Sequence, residues 1–336
     1  MTFQEFTDLL VFFLTRDFGY DGDRLRSLPR GYVPTGRFES DLIRDTNQRY
    51  FSRESNELLG NFMFVNYPRE AAGAEPNWPI RNFERLPLDT LYECSERGGF
   101  ETVLAWLRQA RCDARLAENS EAMNHPEDYQ LTKDSLIICP INYNAHHRAL
   151  RYCTYRRVGD IALVLCALFA HEKGRYLTGR IPRKTLELWG VKDDAAIDAA
   201  LENTEHKYPA TLSKLVHMRG RKTVISTYRS MGPLRELTED ISDARVVSLS
   251  GRDNPNGAVS LFFPGVADLL YEKIGGAFYA ILIAPHCAVI HSANQTNVRK
   301  LLGSLKENNA INNWPEDVLS THVFRFDGHR LEIVRR

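Results

Sequence analysis

Phe3, Phe6, Leu10, Phe13 and Leu14 recur at three- and four-residue intervals, which predicts an amphipathic helix over residues 2–15 with one aromatic face turned inward. From Gly19 to Pro79 the pattern breaks. Glycines and prolines such as Gly22, Pro29, Gly31, Pro68, Gly73 and Pro76 leave only short periodic pieces, of which Gly60–Asn66 reads as one strand. Phe100, Val103, Leu104, Leu107 and Ala110 restore the helical period and predict a helix over 99–118, entered through Gly98 and Gly99. Residues 119–132 are polar, carry Pro126 and read as a linker. The expected division is therefore a first domain over 1–118, the linker over 119–132 and a second domain over 133–336.

In the second half, SLIICPIN from Ser135 is a short buried strand, and the apolar run from Val158 to His171 reads as a buried helix. Pro182 opens a further helix that closes at Gly190, since proline suits a first helical turn and glycine a C-terminal cap. Trp189, just ahead of that glycine, reads as core. Asp193 and Asp194 favour the start of a third helix, ending near Asn203. Strands are expected at 245–250, 258–263, 277–284, 286–291, 320–326 and 330–334, with helices at 265–274 and 294–307. Asn256-Gly257 and Asp327-Gly328 are hairpin signals, because both turn positions favour positive φ. Strands joined partly by hairpins and partly by helices predict an α+β fold with a mixed or largely antiparallel sheet, not a doubly wound one.

The composition, 43% hydrophobic and 26% charged over 336 residues, is that of a globular protein with room for two cores. Glu5 and Asp8 precede the apolar run Leu9–Leu14, so it does not read as a signal peptide. The uncharged stretch from Gly275 to Thr296 is interrupted by Pro285 and Asn294, so two strands are expected there instead of a membrane span, and the protein reads as cytoplasmic. Six cysteines without a CxxC pair read as free thiols of a reducing compartment.

Neutrality overall conceals two opposite halves. Residues 1–132 hold no lysine and 15 arginines against 22 acidic residues, a net −7, and the remainder carries the compensating +7. Between Glu205 and Glu236 the chain has Lys207, Lys214, Arg219, Arg221, Lys222, Arg229 and Arg235 with no acidic residue among them. Docking of the basic half on the acidic half is the favoured expectation, with an anionic partner at an exposed loop as its competitor.

Most catalytic signatures are absent. The chain has no GxGxxG, GxxxxGK[ST] or GxSxG, and after His171-Glu172 the second ligand position of a zinc helix holds Arg175. His146-His147 stands among Arg148, Arg151, Arg156 and Arg157 and reads as a solvated basic segment. Cys287 and His291, on one strand, would stand about 13 Å apart, too far for one metal. Asp198, Glu205 and Lys207 match the residue types of a metal-dependent nuclease, but Asp198 falls in a helix where that chemistry needs strands. No catalytic set, metal or cofactor is expected. The segment RALRYCTYRRVGD interleaves Arg148, Arg151, Arg156 and Arg157 with Tyr152 and Tyr155, types that neutralise phosphate and stack on bases. With Arg219, Arg221 and Lys222 these arginines form the candidate binding patch.

Two blocks resemble a known family: LELWGVKDDAAIDAALENT, from Leu186 to Thr204, and NGAVSLFFPGVA, from Asn256 to Ala267, leading into GGAFYAILIAPHCAVI. The ending LSTHVFRFD, from Leu319 to Asp327, is similar as well. They resemble the uncharacterised bacterial family named domain of unknown function 5688. That resemblance implies a shape and no established activity. Members commonly carry a His-Glu pair at the position of Cys287-Ala288, where this chain keeps only a shifted His286. The resulting expectation is a protein that acts by binding a protein partner. The alternative is a nucleic-acid-binding protein, or an enzyme acting on nucleic acid or nucleotides through groups brought together only in the fold.

Overall fold

Helix α1 (Phe3–Arg16) begins at a capping box: Glu5 N–H donates to Thr2 Oγ1 at 3.2 Å, and Thr2 N–H donates to Glu5 Oε2 at 2.7 Å. The computed structural model describes residues 1–17, 20–34, 51–52, 57–65, 84–108, 125, 127–172, 175–218, 221–229, 234, 241, 246–251, 256–312 and 318–334. These pack as two units, Met1–Pro126 with Phe169–Gly179, and Glu127–Leu168 with Arg180–Arg336.

The first unit contains β1 (Arg26–Leu28), β2 (Phe51–Ser52), β3 (Glu57–Leu58), β4 (Phe62–Val65) and β5 (Glu84–Pro87), then α2 (Leu88–Gly98) and a helix over 100–108, α3. Strands β1, β4 and β5 form a three-stranded sheet in that order, and β2 pairs with β3. The apolar stripe of α1, Phe6, Leu10 and Leu14, packs with Met63 and Val65 of β4, Leu91 of α2 and Val103, Leu104 and Leu107 of α3. Thus the helical spacings of the first expected helices fall, where described, on buried or partly buried residues. Most of residues 19–79, and the end of the expected 99–118 helix, lie outside the described residues, as does half of the expected linker.

From residue 127 the chain continues with α4 (Tyr129–Thr132), β6 (Leu136–Asn142), α5 (Tyr143–Leu150), β7 (Tyr155–Val158), β8 (Ile161–Glu172) and β9 (Arg175–Arg180), of which Phe169–Gly179 belongs to the first unit and the rest to the second. The sheet order is β6-β8-β7, with β9 also pairing β8. Helices α6 (Arg183–Trp189) and α7 (Asp193–Lys207) follow. Thr204 in α7 accepts the N–H of Ile138 at 2.9 Å and Asn203 donates to Lys133 O at 2.7 Å, which fixes this helix on β6. Then come β10 (Ala210–Met218), β11 (Arg221–Arg229), β12 (Val246–Gly251), a 3-10 helix (Gly257–Phe262), α8 (Val266–Ile274), β13 (Phe278–Ala284), β14 (Cys287–Ser292), α9 (Val298–Asn312), β15 (Val323–Phe326) and β16 (Leu331–Ile333). Their seven strands lie in the order β11-β10-β12-β14-β13-β15-β16, and every pairing with a described register is antiparallel. The fold is α+β, as expected.

Several local expectations are corrected. The run from Val158 to His171 is not a helix but strand β8, paired by β6 on one side and β7 on the other. Ile161 through Ala167 are all buried, so the strand is covered on both faces and shows no alternation. Residues 258–263 are mainly a 3-10 turn rather than a strand, and Asn256-Gly257 begins that turn instead of a hairpin. Gly257 lies so close to the backbone of His286 and Gly251 that a β-carbon has no room. Helix α7 runs to Lys207, four residues past its expected end near Asn203. The basic stretch is no loop where it is described: Arg221 and Lys222 open β11 opposite Met218 and His217. Trp189 is half-buried beside Tyr129, ring centroids 5.3 Å apart, not in the core, and the preceding Leu188 is 73% exposed.

Candidate functional site

The turn between β7 and β8 has to be tight, and Gly159 makes it at φ 63°. A side chain is doubly excluded there, because a β-carbon would meet Phe324 Cε1 at 2.7 Å and Ile333 Cδ1 at 2.8 Å. The next residue, Asp160, is 2% exposed. Its Oδ1 accepts the hydroxyl of Ser320 at 2.6 Å, and its Oδ2 accepts Thr321 N–H at 3.2 Å and faces His322 Nδ1 at 2.8 Å. A carboxylate taken out of water needs such donors, and three converge on it.

The loop that supplies them is held from several sides. Asn142, capping α5 by accepting Ala145 N–H at 2.9 Å, donates to Leu319 O at 3.1 Å. Ser320 N–H donates to Leu282 O of β13 at 2.9 Å, and His322 N–H donates to Ser320 Oγ at 3.0 Å. A carboxylate only accepts, so the ring nitrogen facing it must donate: Nδ1 carries the proton, and Nε2 is the acceptor of the neutral imidazole. The His322 side chain is 42% exposed while that of Asp160 is 3% exposed, so the ring reaches outward from a buried anchor.

Beside this tie, Gly159 also lines an open groove of about 800 Å³ with Arg325, Asp327, Arg330, Leu331, Glu332, Ile333 and Val334 of the β15–β16 hairpin. Arg330 Nε stands 3.1 Å from Glu332 Oε1. Asp327 accepts the N–H groups of His329 at 2.9 Å and Arg330 at 3.1 Å, which hold its carboxyl below its ordinary pKa. This turn is the Asp327-Gly328 hairpin expected from the sequence.

The described residues of the expected patch are spread over several elements. Arg148 is exposed on α5, and its carbonyl accepts Arg151 Nε–H at 2.9 Å. The Arg151 guanidinium lies 5.5 Å from the Tyr152 ring centroid. Arg156 is not simply solvated: its NH2 is 2.9 Å from Asp194 and its NH1 2.8 Å from Asp198. Burial alone would lower its pKa, but the bonds to Asp198 and Asp194 hold it above its ordinary value. Arg157 donates from Nε to Gly159 O at 2.7 Å, with its guanidinium 3.9 Å from the Tyr143 ring centroid. Arg221 and Lys222 belong to a different sheet, and Arg219 lies outside the described residues.

The residue clusters set aside in the sequence lie as follows. His146 and His147 lie on α5, and Asp198, Glu205 and Lys207 share helix α7. Cys287 and His291 lie four residues apart on β14, opposite Ser250 and Val246. Among the described residues, no three His, Cys, Asp or Glu side chains are grouped to hold a metal, and no helix is long and apolar enough to cross a membrane. Sequence reasoning missed Asp160, Ser320 and His322. The signal lay in the strings VGD and LSTHVFRFD, but nothing in one sequence joins them.

A family profile described as "Family of unknown function (DUF5688)" matches residues 82–328, a span that includes both halves of this tie. No curated protein and no solved structure matches the chain.

Proposed function

The chain belongs to the DUF5688 family of unknown function, and from its geometry we propose that it acts by binding a protein partner along the β15–β16 groove. The observation that carries this reading is the lining of the groove, which holds two arginines and two acidic residues together with Leu331, Ile333 and Val334. Mixed charge beside apolar residues suits a polypeptide that carries both signs, because a polyanion would meet Asp327 and Glu332 as well as the arginines. Strand β16, last in the order of the seven-stranded sheet, gives an extended peptide a backbone to pair with.

A photo-crosslinking amino acid at Glu332, in the full chain expressed in its native host, tests this. A discrete protein adduct is expected, lost when Arg325 and Arg330 are changed to glutamate and not formed from the same probe at Lys300. Adducts only to nucleic acid, or identical adducts from both positions, would overturn the reading.

A further inference from the structure

Val334 N–H donates to Val323 O at 2.9 Å, and the two residues continue the register that sets Ile333 opposite Phe324 and Glu332 opposite Arg325. Along an antiparallel pair, hydrogen-bonded and non-hydrogen-bonded positions alternate. Val334 and Glu332 therefore turn their backbone N–H and C=O toward β15, and Leu331 and Ile333 turn theirs away from it. Arg330 keeps the alternation, with its N–H turned inward to Asp327 Oδ1 at 3.1 Å. Strand β16 ends the sheet order, and among the described residues no strand pairs with its outer side. Its edge is a template for one more strand.

Side chains alternate as well. Arg330 and Glu332 share one face, where they form their 3.1 Å ion pair and are each more than half exposed, and Leu331 stands on the other face. A strand added antiparallel to this edge is best matched by a basic residue opposite Glu332, an apolar one opposite Leu331 and an acidic one opposite Arg330. Along the added strand that order is basic, apolar, acidic. Arg330-Leu331-Glu332 has this order itself.

Resting on the binding reading above, we infer that the partner is a second copy of this chain, joined β16 to β16 about a two-fold axis at Leu331. Each Leu331 N–H donates to the Leu331 carbonyl of the other copy, and Arg330 of each copy lies opposite Glu332 of the other. The contact closes on itself, so assembly stops at two copies. Neighbouring registers fit less well. An axis at Glu332 sets two carboxylates face to face, and an axis at Ile333 loses both charge pairs.

Sedimentation velocity of the full chain at low salt tests this, and a concentration-dependent dimer is expected. Arg330→Glu alone and Glu332→Arg alone each set like charges opposite one another, and each should weaken association about 10- to 100-fold. An equimolar mixture of the two variants restores both opposite-charge pairs and should associate as the parent chain does, which also shows that both variants fold. Cysteine placement reads the register without a change of charge. Across the axis the two Leu331 α-carbons stand about 5.5 Å apart, within disulfide reach, and the two Ile333 α-carbons about 13 Å. Under an added oxidant, Leu331→Cys should give a covalent dimer beyond any formed by the parent chain, and Ile333→Cys should not. A monomer at every concentration, while a photo-crosslinker at Glu332 captures a different protein, would overturn the self-pairing and leave the binding reading intact. A monomer with no adduct would overturn both. A dimer indifferent to the charge variants, a mixture no tighter than its components, or cross-linking through Ile333 in place of Leu331 would overturn the self-pairing.

Discussion

Gly159 meets two demands that no other residue meets together: a left-handed backbone, and a surface flat enough for Phe324 and Ile333 to rest on it. Changing it to alanine adds left-handed strain to a clash with buried Phe324 and half-buried Ile333, at a cost of about 2 to 4 kcal/mol. Urea unfolding would measure this, and an unchanged midpoint would contradict it. The sequence contains this glycine and the aspartate after it, yet neither shows what it meets. Asp160 is one acidic residue among many until Ser320, Thr321 and His322 are brought to it. Arg156 is a similar case, since its pairing with Asp194 and Asp198 depends on where α7 lies against β7. Buried apolar positions were easier to read, because Phe6, Leu10 and Leu14 repeat at the spacing of the helix that carries them.

At the scale of elements, periodicity succeeded where one face meets solvent and failed where both faces are covered. The run IALVLCALFA is rich in alanine and leucine, good helix formers, and as a strand buried on both faces it has no polar side to betray a period of two. The two hairpin signals also parted. Asn256-Gly257 serves close backbone packing, whereas Asp327-Gly328 makes the turn from β15 to β16, with Gly328 at φ 101°. In that turn the Asp327 carboxylate accepts two N–H groups, so its folded pKa lies below its unfolded value. Its contribution is therefore fully present above the unfolded pKa and disappears as pH falls through the folded one. Amide resonances of His329 and Arg330 should shift together with a midpoint on the acid side of an ordinary aspartate, and should lose that transition in Asp327→Ala. A midpoint at or above the ordinary value would contradict the turn geometry.

For the whole molecule, the family match over residues 82–328 draws on segments from both compact units, and the tie that organises the candidate site joins residues 162 positions apart within the second. Such a closure follows from topology. Strand β8 must lie between β6 and β7, and β15 must join β13, before Asp160 and His322 can meet. Fold class was accessible from strand and helix alternation, while the site required the register of two sheets. The binding reading assumes this turn is built as described, since Gly159 lines the groove. Long-range ¹H–¹⁵N correlation of the histidine side chains at neutral pH tests it most directly. The neutral ring of His322 should appear as the Nδ1–H form, with a slowly exchanging proton that is lost in Asp160→Ala. An Nε2–H ring, or a tautomer unaffected by Asp160→Ala, would contradict the account.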